Sequence, residues 1–124
     1  MMTLTLRKLA GLAAAGAIAL VPVAAWAHGK LEMAVPASGA TVDVAPDALH
    51  LTFNEDLEAN FSTIKIADAS GTPVTKEKAK VDASNPRVMT LAVPKLASGA
   101  YTVQWAVMTA DAHKTKGTYT FKVK

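Results

Sequence analysis

Histidine, aspartate and glutamate occur in this chain at spacings that could hold a metal ion. His28 directly follows Ala25-Trp26-Ala27. If the chain is cut after Ala27, His28 becomes the first residue and carries two nitrogen donors, its α-amine and its ring Nδ1. Both can close a six-membered chelate on one ion. Free α-amines titrate at about 7.7–8.0 and imidazoles at about 6.5. Protons therefore compete little with a strongly binding metal near neutral pH. Asp111 and His113 stand two apart in Thr109-Ala110-Asp111-Ala112-His113. On an extended backbone that spacing puts carboxylate and imidazole on one face. The same triplet also suits a polar loop, with Asp111 capping a turn and His113 in solvent. Phe53-Asn54-Glu55-Asp56-Leu57 is an acidic turn at a strand end. In it Glu55 is a candidate weak or outer-shell ligand, whereas Asp56 and Glu58 suit a solvated loop. His50 sits between Leu49 and Leu51 and points away from their apolar side, so no metal role is expected of it. Cysteine is absent, which removes thiolate ligation, thiol catalysis and disulfides. Any metal must be held by nitrogen, oxygen or thioether sulfur.

The segments that position these residues read as short strands. Leu49–Phe53 alternates, with Leu49, Leu51 and Phe53 on one face. Ser62–Ala67 places Ile64 and Ile66 together, and Val88–Val93 places Met89, Leu91 and Val93 together. Tyr101–Val107 aligns Tyr101, Val103, Trp105 and Val107, so Trp105 is expected in the core. Thr118–Lys124 aligns Tyr119, Phe121 and Val123. Gly and Pro punctuate the intervals, as in Pro36-Ala37-Ser38-Gly39, Ser84-Asn85-Pro86 and Ala97-Ser98-Gly99. Short strands at regular spacing predict an all-β sandwich or barrel. Val74–Val81 is expected to be a polar edge strand whose lysines discourage strand addition.

The first 27 residues are not domain material. Arg7 and Lys8 precede an almost unbroken apolar run from Leu9 to Val23, which leads to Ala25-Trp26-Ala27. That is the layout of a secretory signal. The run is about 15 residues, short of the roughly 20 that span a bilayer. The expected organisation is a signal peptide over residues 1–27 and one domain over 28–124, exported and periplasmic. Without Arg7 and Lys8, the 13 basic residues fall to 11 against 10 acidic ones. No basic run or interleaved aromatics remain to suggest nucleic-acid binding.

An ordered set of motifs spans almost all of 28–124. It comprises His28, Pro36-x-x-Gly39, Leu51-Thr52-Phe53-Asn54-Glu55-Asp56-Leu57 and Leu96-x-x-Gly99-x-Tyr101-x-Val103-x-Trp105. Asp111-x-His113-x-x-x-Gly117 and Phe121-x-Val123 complete it. The chain thereby resembles the CopC/PcoC family of periplasmic copper-binding proteins. The resemblance implies a single Greek-key β-barrel or sandwich, cupredoxin-like or immunoglobulin-like. It implies a Cu(II) site built from the amine and ring of His28 with Asp111 and His113, and with Glu55 nearby. It also implies copper handling beside an inner-membrane copper transporter of the CopD type, and no enzymatic activity. Independently, three nitrogens and one carboxylate oxygen suit a tetragonal Cu(II) ion.

Some members of that family add a methionine-rich loop for Cu(I). Here Ile66–Val81 holds no methionine, and Met33, Met89 and Met108 are scattered. No Cu(I) site is expected; Met108, close to Asp111, is the one methionine worth locating. Two alternatives stand beside the copper-binding reading. One is a small oxidative enzyme using a histidine brace; the other is a metal-free β-sandwich interaction domain.

Overall fold

The computed structural model describes residues 29–124. His28 and the expected signal segment 1–27 lie outside the described residues. Among the described residues eight strands run in chain order: β1 Leu31–Val35, β2 Thr41–Val42, β3 Ala48–Phe53, β4 Thr63–Asp68, β5 Lys80–Asp82, β6 Asn85–Ala92, β7 Gly99–Met108 and β8 Lys114–Val123. They form two four-stranded sheets, ordered β1-β3-β6-β5 and β2-β8-β7-β4. All pairings are antiparallel except β2 with β8. This is the all-β sandwich that the alternating pattern predicts.

The core sits between the sheets and takes one face from each strand. Leu49, Leu51 and Phe53 of β3 and Met89 and Leu91 of β6 meet Ile64 and Ile66 of β4, Val103 and Val107 of β7, and Phe121 of β8. Burying each such side chain contributes about 1.5–3 kcal/mol. Phe53 and Trp105 meet edge to face across the sandwich, with centroids 5.1 Å apart. Tyr101 stacks on Phe121 and donates its hydroxyl to Ala97 O at 2.7 Å. That bond resembles the tyrosine corner of immunoglobulin-like sandwiches. Trp105 is only partly buried and packs against the core rather than within it.

The segment Val74–Val81 departs from its expected form. Only Lys80–Asp82 is a strand, at the edge of the first sheet beside β6. Its beginning belongs to the other sheet: Pro73 bridges Ala67, and Val74 N donates to Ile66 O at 3.0 Å. A segment that leaves one sheet and joins the other cannot be a single continuous strand. Strands β1 and β2 were not foreseen. A register shift between Leu31 and Met33 breaks the alternation of β1, and β2 has two residues.

Candidate metal centre

The strands β7 and β8 form a long hairpin, and Asp111 and His113 lie in its turn. The sequence suggested that an extended backbone would align them. The turn does it instead. Ala112 takes a positive φ of 72°, and its N–H donates to Thr109 O at 2.8 Å. This reversal brings His113 Nδ1 to 3.0 Å from Asp111 Oδ1. Both side chains are about half exposed, 53% for His113 and 48% for Asp111.

Thr109 is the residue beneath them that sequence reasoning missed. It is completely buried. Its Oγ1 donates to Asp111 Oδ1 and accepts the His113 N–H at 3.1 Å. Its own N–H donates to His113 O at 2.8 Å. One hydroxyl thus fixes both members of the aspartate–histidine pair. A threonine two residues before an aspartate was the available signal, since short hydroxyl side chains commonly bond backbone within a turn.

The beginning of the described chain is fastened to this turn. Thr115 Oγ1 donates to Gly29 O at 2.7 Å. Gly29 is buried with φ 64°, and a Cβ on it would lie 2.6 Å from Thr115 Oγ1 and 3.4 Å from Thr109 Cγ2. Glycine is required there for space and for backbone angle. Lys30 N donates to Asn54 Oδ1 at 2.8 Å, and Asn54 N returns a bond to Lys30 O at 3.0 Å.

Glu55 is partly buried in the loop after β3. That loop is held on one side by the Asn54–Lys30 pair. On the other, Ala110 N donates to Asp56 O at 2.9 Å and Glu58 N to Met108 O at 2.8 Å. Asp56 directs its carboxylate to Arg87 Nε at 3.4 Å. Three stretches of chain therefore converge at one end of the sandwich: Gly29–Lys30, Asn54–Glu58 and Met108–Thr115. Met108 is half-buried at this end, with its N–H bonded to Ser62 Oγ. Among the described residues no three His, Cys, Asp or Glu side chains form a metal cluster. His50 is exposed on β3, as its position between two leucines suggests. A groove of about 1200 Å³ lies along β4 under the segment leading to β5. Glu55, Asp111 and His113 are not among the residues that line it.

Comparison with known proteins agrees with the fold. Residues 31–124 match the model of the CopC domain. The Escherichia coli K12 protein YobA is 39% identical over 106 residues, covering 85% of this chain and 86% of YobA. The crystal structure of CopC from Methylosinus trichosporium OB3b superposes with a TM-score of 0.74 at 37% identity, covering 78% of this chain and 94% of that one. The crystal structure of PcoC, a methionine-rich copper resistance protein from Escherichia coli, gives 0.70 at 33% identity and covers 79% of this chain and all of PcoC. The chain belongs to the CopC family.

Proposed function

We propose that this protein is exported to the periplasm, is cut after Ala27, and binds one Cu(II) ion in copper homeostasis. Residues 1–27 act as the signal peptide, and 28–124 form the copper-binding domain. His28 supplies its α-amine and ring nitrogen, His113 an imidazole nitrogen and Asp111 a carboxylate oxygen. Glu55 stands as an outer or weak fifth donor. The observation that carries this reading is the fastening of Gly29, the residue after His28, to Thr115 beside the Asp111–His113 turn. One residue of chain separates that anchor from the proposed amino terminus.

The donor set suits the ion. Two neutral imidazoles, one amine and one carboxylate favour Cu(II) over other divalent first-row ions. The His113 Nδ1–Asp111 bond orients the imidazole that would bind the metal. Asp111 Oδ1 takes the bonds from Thr109 and His113, which fix the orientation of the carboxylate. The family membership and the copper resistance named for PcoC support copper as the cargo. An inner-membrane transporter of the CopD type is the proposed partner.

The test is mass spectrometry of the exported protein, which reads its first residue, followed by Cu(II) titration. A start at His28 and one equivalent of Cu(II) with a visible d–d band are expected. His28→Ala and His113→Ala should each weaken binding strongly, and Asp111→Ala less. One extra residue before His28 should harm binding as much as loss of its ring. A different first residue, or equal losses from His28→Ala, His113→Ala and His50→Ala, would overturn the site.

A further inference from the structure

The outer face of the β1-β3-β6-β5 sheet carries a second pair of metal-binding side chains. Met33 on β1 is 58% exposed, and His50 on β3 is exposed. The strand register sets Met33 opposite Thr52 and Val35 opposite His50. Met33 and His50 are therefore diagonal neighbours on one face. Such neighbours lie about 7–8 Å apart, within reach of long side chains.

The third strand fixes the imidazole. Thr90 of β6 stands directly opposite His50, and its Oγ1 lies 3.3 Å from His50 Nδ1. With Nδ1 engaged toward β6, Nε2 is the ring nitrogen that can serve as a metal donor. A hydrogen bond at one ring nitrogen fixes the ring's orientation, as the outer partners of metal-binding histidines do. The other two methionines beyond residue 28 offer no comparable donor: Met89 is fully buried and Met108 half-buried. A thioether is a soft donor and an imidazole a borderline one; the thioether selects a soft monovalent cation over a hard divalent one, and the imidazole accepts either.

We propose that Met33 and His50 form a separate surface site for a soft monovalent metal ion, Cu(I) or Ag(I). It shares no residue with the Cu(II) site proposed above. The sequence argued against a Cu(I) site because its methionines are scattered. Strand β1, unforeseen, is what brings Met33 beside His50.

Ag(I), which is stable in air, is the probe, titrated into the processed protein with methionine methyl and histidine ring resonances followed by NMR. The Met33 methyl and the His50 ring signals should move together at one equivalent, and the Met89 methyl should not. Met33→Leu and His50→Gln should each weaken Ag(I) at least about tenfold, and a chromophoric Cu(I) competitor should give the same order. Both are exposed substitutions that leave the core untouched, and both should retain the Cu(II) visible band. His113→Ala should keep the Ag(I) shifts, so failure of the Cu(II) site leaves this test intact. An unmoved Met33 methyl, unchanged Ag(I) affinity in both variants, or shifts confined to His113 and Met108 would overturn the proposal.

Discussion

Thr115 Oγ1 donates to the Gly29 carbonyl at 2.7 Å, joining residues 86 apart in sequence. This bond holds the start of the domain against the hairpin turn that carries Asp111 and His113. Gly29→Ala would place a methyl 2.6 Å from Thr115 Oγ1 at a φ of 64°. The left-handed backbone alone costs about 1–2 kcal/mol for a residue with a Cβ. We expect a loss of stability of that order and at least about tenfold weaker Cu(II) binding, since misplaced supporting groups typically cost 10–100-fold. Thr115→Val keeps the volume and removes only the donor. It should cost about 1 kcal/mol of stability and still weaken Cu(II). Urea denaturation and Cu(II) competition titrations read the two effects separately. Native Cu(II) affinity in both variants would mean that this tether does not position residue 28.

Thr109 is expected to matter more than any exposed residue of the turn except the proposed ligands. Thr109→Val leaves the His113 N–H and Asp111 Oδ1 without their shared hydroxyl. An orphaned buried donor costs about 1–3 kcal/mol. The loosened pair should also bind Cu(II) about tenfold or more weakly. Thr109→Ser retains the hydroxyl and should recover most of the affinity. Equal behaviour of the two variants in a copper competition assay would show that the methyl, not the hydroxyl, is what the site needs.

The strands were readable in the sequence wherever one face is buried. Leu49, Leu51 and Phe53 alternate because one side of β3 meets the core and the other meets water. Strand β1 escaped because its bulge interrupts the alternation and because Met33 and Val35 are exposed. At the candidate site, Asp111 and His113 could be named from their types and spacing. Their actual meeting depends on the positive φ of Ala112, which nothing in an alanine announces. Thr109, Thr115 and Asn54 escaped for another reason. Their partners lie across the fold or in the backbone, and a list of metal-binding side chains does not include them.

Gly117 and Trp105 form a directly opposed pair in the β7–β8 hairpin. The indole covers the glycine so closely that a Cβ at 117 would stand 2.5 Å from Trp105 Cζ2. The ring also meets Phe53 edge to face, so it has little room to retreat. Gly117→Ala should cost about 1–3 kcal/mol, the usual range for overpacking. Trp105 is the one tryptophan after residue 28. Its emission should therefore change in the variant, and the thermal midpoint should fall together with it. An unchanged midpoint with a shifted emission would mean that the indole swings out at little cost.

Tyr119 places its hydroxyl inside the sandwich with no hydrogen-bond partner among the described residues. Burial disfavours the phenolate and pushes its pKa from 10.0 up to about 12. The folded state therefore holds this proton more tightly than the unfolded chain does. The resulting contribution to stability is fully present below pH 10 and is lost as pH rises toward 12. Tyr119→Phe removes both the titration and the unsatisfied hydroxyl. It should flatten the stability profile in that alkaline window and, at neutral pH, leave the protein equally stable or more stable by about 1 kcal/mol. Denaturant midpoints measured from pH 7 to pH 11.5 in both proteins test this. A variant as sensitive to alkali as the parent would show that lysine deprotonation, rather than Tyr119, controls the alkaline limb.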